Sequence, residues 1–519
     1  MRIVVALALS TLLVGLGSGC ASTRDALTAE PRPLSDAGLA SAVRASAAAD
    51  AAISDTARGD VPTESVVPAA HAEAVMKEAV MAKSATVAAV TAAGPSSSVL
   101  QVSSDAVTTD GNAERLAELE AVALGGNPAV LRLEQQVQAA WAKTEHIDRL
   151  PDPTVSANLF VSPIETAAGS QRANLNVAQM IPWLERLDAK AQQACCEAMA
   201  VQQALDAQRL AVVADVRAAW FRLFVLGRQI ETTRANQQLL ESLIEVATAR
   251  VATGTASQGD VLLGTLEISR LEEQIILWQQ QIESTKAELN RVLGREAASP
   301  VSVPESLDVD LPKWSHELLA RIAFEHQPAI EAARLRTHAT RWGVEVARLE
   351  RRPNFAVNAS WFAIDNNRPA SPIVDVGQDA WSLGAQVSLP VWRQKYDALE
   401  NEANWKHQAS HATVEEVTRQ FDSRLRDLWE QAVAADRTRQ LYAETILPQA
   451  RQTLDADQQS YASGAVEFDR VVRDVRNVLT LQDGLYRATG QLATALARIE
   501  EAIGGAVAVG AEPLPVSGM

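Results

Sequence analysis

The sequence predicts an α+β membrane protein with an internal twofold repeat, in which long coiled-coil α-hairpins adjoin four β-strands per protomer that contribute to a shared β-barrel. Three observations carry this reading. First, Asn127-Pro128-Ala129-Val130 opens a passage that ends Pro153-Thr154-Val155-Ser156-Ala157-Asn158, and Gln327-Pro328-Ala329-Ile330 opens another that ends Pro353-Asn354-Phe355-Ala356-Val357-Asn358. Second, each copy continues through two segments with apolar residues at alternate positions. Third, each copy closes with a long heptad-patterned stretch that doubles back on itself.

In chain order, residues 1–19 read as a secretory signal peptide: Arg2 precedes an apolar run from Ile3 to Val14, followed by Gly17-Ser18-Gly19-Cys20. The pattern is similar to bacterial lipoprotein signals, which are cleaved before a cysteine that becomes lipid-modified. It departs from them in having Gly17 where leucine is usual, with Leu16 one position further away. Cys20 is the expected lipid attachment site, the alternative being plain removal of the signal. Ala21 in place of an aspartate lacks the inner-membrane retention signal, so the outer membrane is the expected destination. Residues 20–111, rich in Ala, Ser and Thr, predict a largely disordered tether, with one alanine-rich helical stretch from His71 to Ala93.

The first repeat spans 112–310. In its first strand Val155, Ala157, Leu159 and Val161 share one face and Thr154, Ser156 and Asn158 the other, because successive strand side chains point to opposite sides. The second strand sets Leu175 and Val177 against Asn174 and Asn176. From Val212 through Val216, Leu223, Leu226, Ile230, Leu240 and Ala247 the apolar residues follow four- and three-residue steps, and Ile268, Leu271, Ile275, Ile282, Leu289 and Val292 repeat this on the way back. Val251 to Ser257, containing Gly254, is the expected reversal, and a helix from Leu184 to Thr253 would rise ~100 Å.

The second repeat, 311–503, has the same plan. Phe355, Val357, Ala359 and Trp361 oppose Asn354, Ala356, Asn358 and Ser360, while Leu383, Ala385, Val387 and Leu389 oppose Ser382, Gln386 and Ser388. Its hairpin turns at Tyr461-Ala462-Ser463-Gly464-Ala465-Val466. Residues 504–519 read as a frayed tail. An ordinary half-buried sheet would alternate similarly, but four such strands favour a transmembrane barrel with a wet lumen. Trp183 and Trp392 follow the second strand of each pair, where a ring could lodge at the lipid–water interface or pack at a helix start. Four strands cannot close, since the smallest outer-membrane barrels need about eight, and three copies would supply about twelve.

Composition excludes other classes. A formal charge of −17 over 519 residues argues against a phosphate-binding surface and hence against a nucleic-acid partner. No later run resembles a transmembrane helix of about twenty apolar residues. His407 and His411 lie four apart on an expected helix, but no third ligand accompanies them in sequence, so they read as solvated and no metal site is assigned. Cys195 and Cys196 are neighbours on an expected helix and read as small buried side chains instead of a redox pair. Gly15, Gly17 and Gly19 mimic part of a dinucleotide loop but lie in the signal peptide. No catalytic constellation and no cofactor motif is found, and the chain reads as not an enzyme.

Taken together, Asn127-Pro128, Leu150-Pro151-Asp152-Pro153, Gly169-Ser170-Gln171-Arg172, Gln179-Met180-Ile181-Pro182-Trp183, Gly254 with Asp260-Val261-Leu262, Ile446-Leu447-Pro448-Gln449-Ala450 and Tyr461-Ala462-Ser463-Gly464 resemble the TolC-like outer-membrane efflux factors. They resemble more closely the lipid-anchored branch that includes CusC and CzcC. The resemblance covers roughly 112 to 503 and implies a homotrimer with one twelve-stranded barrel in outer-membrane lipid and an α-barrel of helices across the periplasm. It also implies docking to a periplasmic adaptor protein and an inner-membrane pump, in a passive exit duct of a tripartite efflux or secretion system. A periplasmic coiled-coil adaptor or a structural lipoprotein would explain the helices but not the duplicated strand pairs. The exported solute is not legible.

Two sites follow from the resemblance. The hairpin tips, with Gly254, Thr255, Ser257, Gly464 and Ala465, are the expected adaptor contacts, although glycine there also simply permits the turn. The best-known family members narrow the periplasmic end with acidic residues six and nine positions after the second tip glycine. Here those positions hold Arg470 and Arg473, flanked by Asp469 and Asp474, while Asp260 follows the first tip. The expectation is a mixed-charge gate in which Arg470 or Arg473 pairs with Asp469, Asp474 or Asp260 across the seam between protomers.

Overall fold

A computed structural model describes residues 111–505, apart from 371, 373 and 374. The signal peptide, Cys20 and the tether therefore lie outside the described residues, as does the tail beyond 505. The element order is α1 (Gly111–Gly126), α2 (Pro128–Thr144), β1 (Thr154–Thr166), β2 (Gly169–Ile181), α3 (Leu184–Ala252), α4 (Gln258–Leu293), α5 (His316–His326), α6 (Pro328–Leu349), β3 (Asn354–Asp365), β4 (Ala380–Ser388), α7 (Arg393–Gln440), a π-helical turn (Leu441–Ile446), α8 (Leu447–Ser463) and α9 (Phe468–Ile503).

The repeat is visible in how each half starts and ends. Pro128 and Pro328 sit in the first turn of α2 and α6, where a missing N–H costs nothing. The preceding side chain caps the helix in both halves: Asn127 Oδ1 accepts from Ala129 N at 2.8 Å, and Gln327 Oε1 from Ala329 N at 3.4 Å. Each cap also ties down the end of its own hairpin. Asn127 Nδ2 donates to Val292 O of α4 at 2.7 Å, and Gln327 Nε2 donates to Glu501 O and Ala502 O of α9 at 2.9 and 3.0 Å. Glycine follows both hairpins in the left-handed region, Gly294 at φ 69° and Gly504 at φ 92°. At each, a Cβ would press on backbone, 2.0 Å from Gly126 O and 2.5 Å from His326 O respectively.

The four strands form one antiparallel sheet in the order β1-β2-β3-β4. Register places the apolar residues in rows across it: Val155 faces Val177, which faces Ala359, which faces Leu383; Ala157, Leu175, Trp361 and Trp381 form the next. Polar residues form rows on the other side, as in Ser156, Asn176, Ser360 and Ser382. β1 is longer than the alternation suggested and shifts register between Leu159 and Ile164.

Beneath the strands α2, α3, α6 and α7 pack side by side in the same order, α3 against α2 and α6, and α6 against α7. Arg186, nearly buried at the start of α3, clamps sheet to helices by donating to Glu350 at 2.9 Å and to Asn354 Oδ1 at 2.8 Å. At 69 residues α3 is the long helix expected. Its heptad seam is buried at Val212, Val216, Leu223, Leu226, Ile230, Leu240 and Ala247, but so are Trp220, Phe221, Phe224, Thr232, Asn236 and Leu243 on a second face. The helix therefore packs on two sides, against α4 and α9, which a two-stranded coiled coil would not require.

The second hairpin differs from the first. Its descending arm is interrupted by the π turn at Leu441–Ile446 because Pro448, in the first turn of α8, has no N–H to give the preceding turn. Both tryptophans expected at a membrane boundary precede the first turn of a helix, α3 and α7, without a side-chain cap; Trp392 is 75 % exposed, whereas Trp183 donates to Glu185 at 2.9 Å and lies under the Arg352 guanidinium. Among the described residues no helix is long and apolar enough to cross a membrane.

Candidate functional site

Three features of the described unit bear on function: a sheet with unlike faces, two helical tips, and a cleft between helices. On the sheet the apolar rows are bare. Val161 is fully exposed, Leu159 and Leu383 are more than four-fifths exposed, and Trp381 is 76 % exposed. Such a surface does not face water in a soluble domain. β1 and β4 are both edges, so the outer backbone groups of each lack a ladder within the chain.

At the first tip Thr253 ends α3, and Gly254, at φ 74°, reverses the chain. Gly254 N donates to Val251 O at 3.0 Å and Thr255 N to Arg250 O at 2.9 Å. Ser257 then caps α4, its hydroxyl accepting from Gly259 N at 3.1 Å. The second tip repeats the geometry, with Gly464 at φ 83°, Gly464 N donating to Tyr461 O at 3.0 Å and Ala465 N to Ser460 O at 2.8 Å. A Cβ on Gly254 would meet open space, whereas one on Gly464 would meet the Arg250 guanidinium at 3.3 Å. All five tip residues expected from the sequence thus cluster at turns.

The tips are fastened to each other. Arg250 donates to Tyr461 O at 2.5 Å and lies 4.6 Å over the Tyr461 ring, which packs on Phe468 in a core with Leu454, Val471 and Val472. Burial pushes the Tyr461 phenol up, against the pull of Arg250 and with the push of Asp260. Asp260 itself sits in the first turn of α4, where the helix dipole favours a carboxylate.

The charges expected at the gate lie just beyond. Within the chain Arg470 donates to Asp457 of α8 at 2.6 Å, a nearly buried carboxylate that sequence reading missed. Arg473 pairs with Asp469 at 3.1 Å, one turn earlier on the same exposed helix face. Asp474 faces Asp457, and its carboxyl is pushed up by burial first and by the Asp457 carboxylate second. Further along, Glu267 of α4 is buried and accepts from Arg476 of α9 at 2.6 Å, an ion pair that joins the two hairpins. Its hydrogen bond to Glu267 holds the Arg476 pKa up. No local signal connects Glu267 to Arg476 or Asp457 to Arg470, because each pair spans two helices.

Between α3, α4, α7 and α9 lies a cleft of about 840 Å³, whose lining includes Arg222, Arg291, Arg487 and Arg498 with Asp215 and Glu288. Arg498 is held by Asp215 at 2.6 Å and Glu501 at 2.9 Å. Among the described residues no group of three or more His, Cys, Asp or Glu is placed to hold a metal ion, and Cys195 and Cys196 are buried along α3.

A family model described as outer membrane efflux protein matches residues 121–295 and 319–505. Among curated relatives, a toluene efflux pump outer membrane protein of Pseudomonas putida is 22 % identical over 317 residues, covering 61 % of this chain and 64 % of the relative. Outer membrane protein OprJ of Pseudomonas aeruginosa is 26 % identical over 309 residues, covering 56 % and 62 %. The chain thus spans less than two thirds of the length of the curated relatives it matches. Among solved structures, the outer membrane protein VceC of Vibrio cholerae superposes with a TM-score of 0.64 at 21 % identity, covering 76 % of this chain and 96 % of that one. CusC superposes with a TM-score of 0.64 at 17 % identity, covering 81 % and 100 %. At these identities the likeness establishes the fold.

Proposed function

This chain belongs to the outer membrane efflux protein family, and from that premise we propose that it is the outer-membrane exit duct of a tripartite efflux or secretion system, a passive channel across the periplasm and outer membrane. The observation that carries the proposal is the sheet: one face is a bare apolar surface, the other is polar, and both edges are open. A bilayer tolerates no unpaired edge, so the sheet closes with the sheets of further copies, and three copies give about twelve strands. Helical edges support the same closure, because Leu262, Leu266, Ile276 and Leu277 on α4 are all at least half exposed.

In this reading the apolar rows contact lipid, the Asn and Ser rows line the pore, and the arginine-lined cleft is part of the inner wall of the helical barrel. The tips at Gly254, Thr255, Ser257, Gly464 and Ala465 dock a periplasmic adaptor that bridges to an inner-membrane pump. Asp260, Asp469, Arg470, Arg473 and Asp474 form the periplasmic constriction. Residues 1–19 direct export, Cys20 carries the lipid, residues 20–111 tether it, 112–310 and 311–503 are the two repeats, and 504–519 is a tail. Planar-bilayer recording of the purified full chain tests the duct: discrete conductance steps support it, and the absence of any conductance from protein inserted in lipid contradicts it.

A further inference from the structure

On α7 the half-buried ring of His407 and the exposed ring of His411 are in contact. Their Nε2 atoms are 3.4 Å apart while the ring centroids are 4.7 Å apart, so the Nε2 corners lead the contact. A separation of 3.4 Å is long for a hydrogen bond between nitrogens. It matches the edge between two ligands of one tetrahedral ion, about 3.3–3.4 Å for metal–nitrogen bonds of about 2.0–2.1 Å.

Hydroxyl groups behind the pair offer a way to fix which nitrogen is free. The hydroxyl of Thr340 on α6 lies 2.8 Å from Thr337 O. Its oxygen is 3.0 Å from His407 Nδ1 and 2.9 Å from the Ser410 hydroxyl, which is also 2.7 Å from His407 O. When the Thr340 proton goes to Thr337 O or to Ser410, Thr340 accepts from His407, Nδ1 carries the imidazole proton and Nε2 presents a lone pair towards His411. His411 is exposed, and its Nε2 becomes a second lone pair when its proton sits on Nδ1.

We propose that His407 and His411 form a two-imidazole binding site for a first-row divalent transition-metal ion, with Thr340 as the residue that fixes the ligand tautomer and with water completing the coordination. Imidazole nitrogen selects Zn²⁺, Ni²⁺ and Cu²⁺ over oxygen-seeking Mg²⁺ and Ca²⁺. An ion there staples one turn of α7. The site stands on contacts within one chain and is independent of the duct reading.

The test uses the untagged full chain in mild detergent, stripped with chelator and titrated with Zn²⁺ and Ni²⁺ by calorimetry. The expected result is one ion per chain with micromolar affinity and no uptake of Mg²⁺. His407→Ala and His411→Ala should each weaken binding at least tenfold, His338→Ala should leave it unchanged, and Thr340→Val should weaken it about tenfold through the lost tautomer control. Cu²⁺ bound to the parent should show two equivalent nitrogens by electron paramagnetic resonance. His407→Gln and His411→Gln replace the alanine variants if those lose their oligomeric state. Absence of binding by the parent, or unchanged affinity when both histidines are replaced, overturns the site; unchanged affinity in Thr340→Val overturns the role of Thr340.

Discussion

Asp483 lies half-buried on α9 with one carboxylate oxygen unpartnered, and burial raises its pKa to about 6 against the pull of Arg487. Because the folded state holds the proton more tightly than the unfolded chain, stability contributed by the protonated carboxyl is full below the unfolded value of 3.8 and is lost as pH rises to about 6. Asp483→Asn removes that dependence. The variant should gain on the order of 1 kcal/mol at pH 7.5, after discounting for solvent screening, and little at pH 4. Thermal melts of both proteins at the two pH values check this, and an equal shift at both would refute it. Arg470 and Arg473 lend themselves to a second test. Replacing both with alanine frees Asp457 and Asp469, so single-channel conductance should rise and depend less on salt; conductance identical to the parent's at both low and high salt would show that they do not gate. At this scale the sequence was partly legible. Asn127-Pro128 and Gln327-Pro328 were recognised as repeat anchors, but their bonds to the far ends of α4 and α9 were not, because a tertiary contact leaves no periodicity to read. The arginines proposed for the gate were legible as positions, whereas Asp457, which Arg470 holds, emerges only in space.

At the scale of elements the alternation of strands carried most of the information. Faces inferred from residues such as Leu159, Asn176, Val357 and Ser382 are the faces the register aligns, since period two admits only one such division. Leu383, opposite Ala359 and near the middle of β4, is a sensitive position. Leu383→Arg should cost about 2–4 kcal/mol in lipid, while Ser382→Arg, one residue away on the polar face, should cost far less. Denaturant titration of lipid-reconstituted protein separates the two, and equal costs would contradict the assignment of faces. The tips are a second case. Gly254 needs a left-handed backbone but has open space around it, so Gly254→Asn, which tolerates that conformation, should retain export. Gly254→Trp should abolish export at near-normal oligomer yield; export unchanged by tryptophan would remove the tip from adaptor docking. The π turn at Leu441–Ile446 and the second buried face of α3 were not legible. Heptad steps describe one seam, and a helix sandwiched between two neighbours carries two patterns that overlap.

For the whole molecule, duplication made the architecture readable, because two copies of helix, strand pair and hairpin cannot close a barrel by themselves. Nothing in one chain states how many copies meet. That number rests on strand arithmetic and on the edges left open at β1 and β4. The most direct test is the stoichiometry of the full-length protein purified in mild detergent, measured by multi-angle light scattering with the detergent contribution subtracted. Three chains per particle, persisting on dilution, is the predicted result. A monodisperse monomer would leave four apolar strands with both edges unpaired and would contradict the shared barrel on which the exit-duct reading depends.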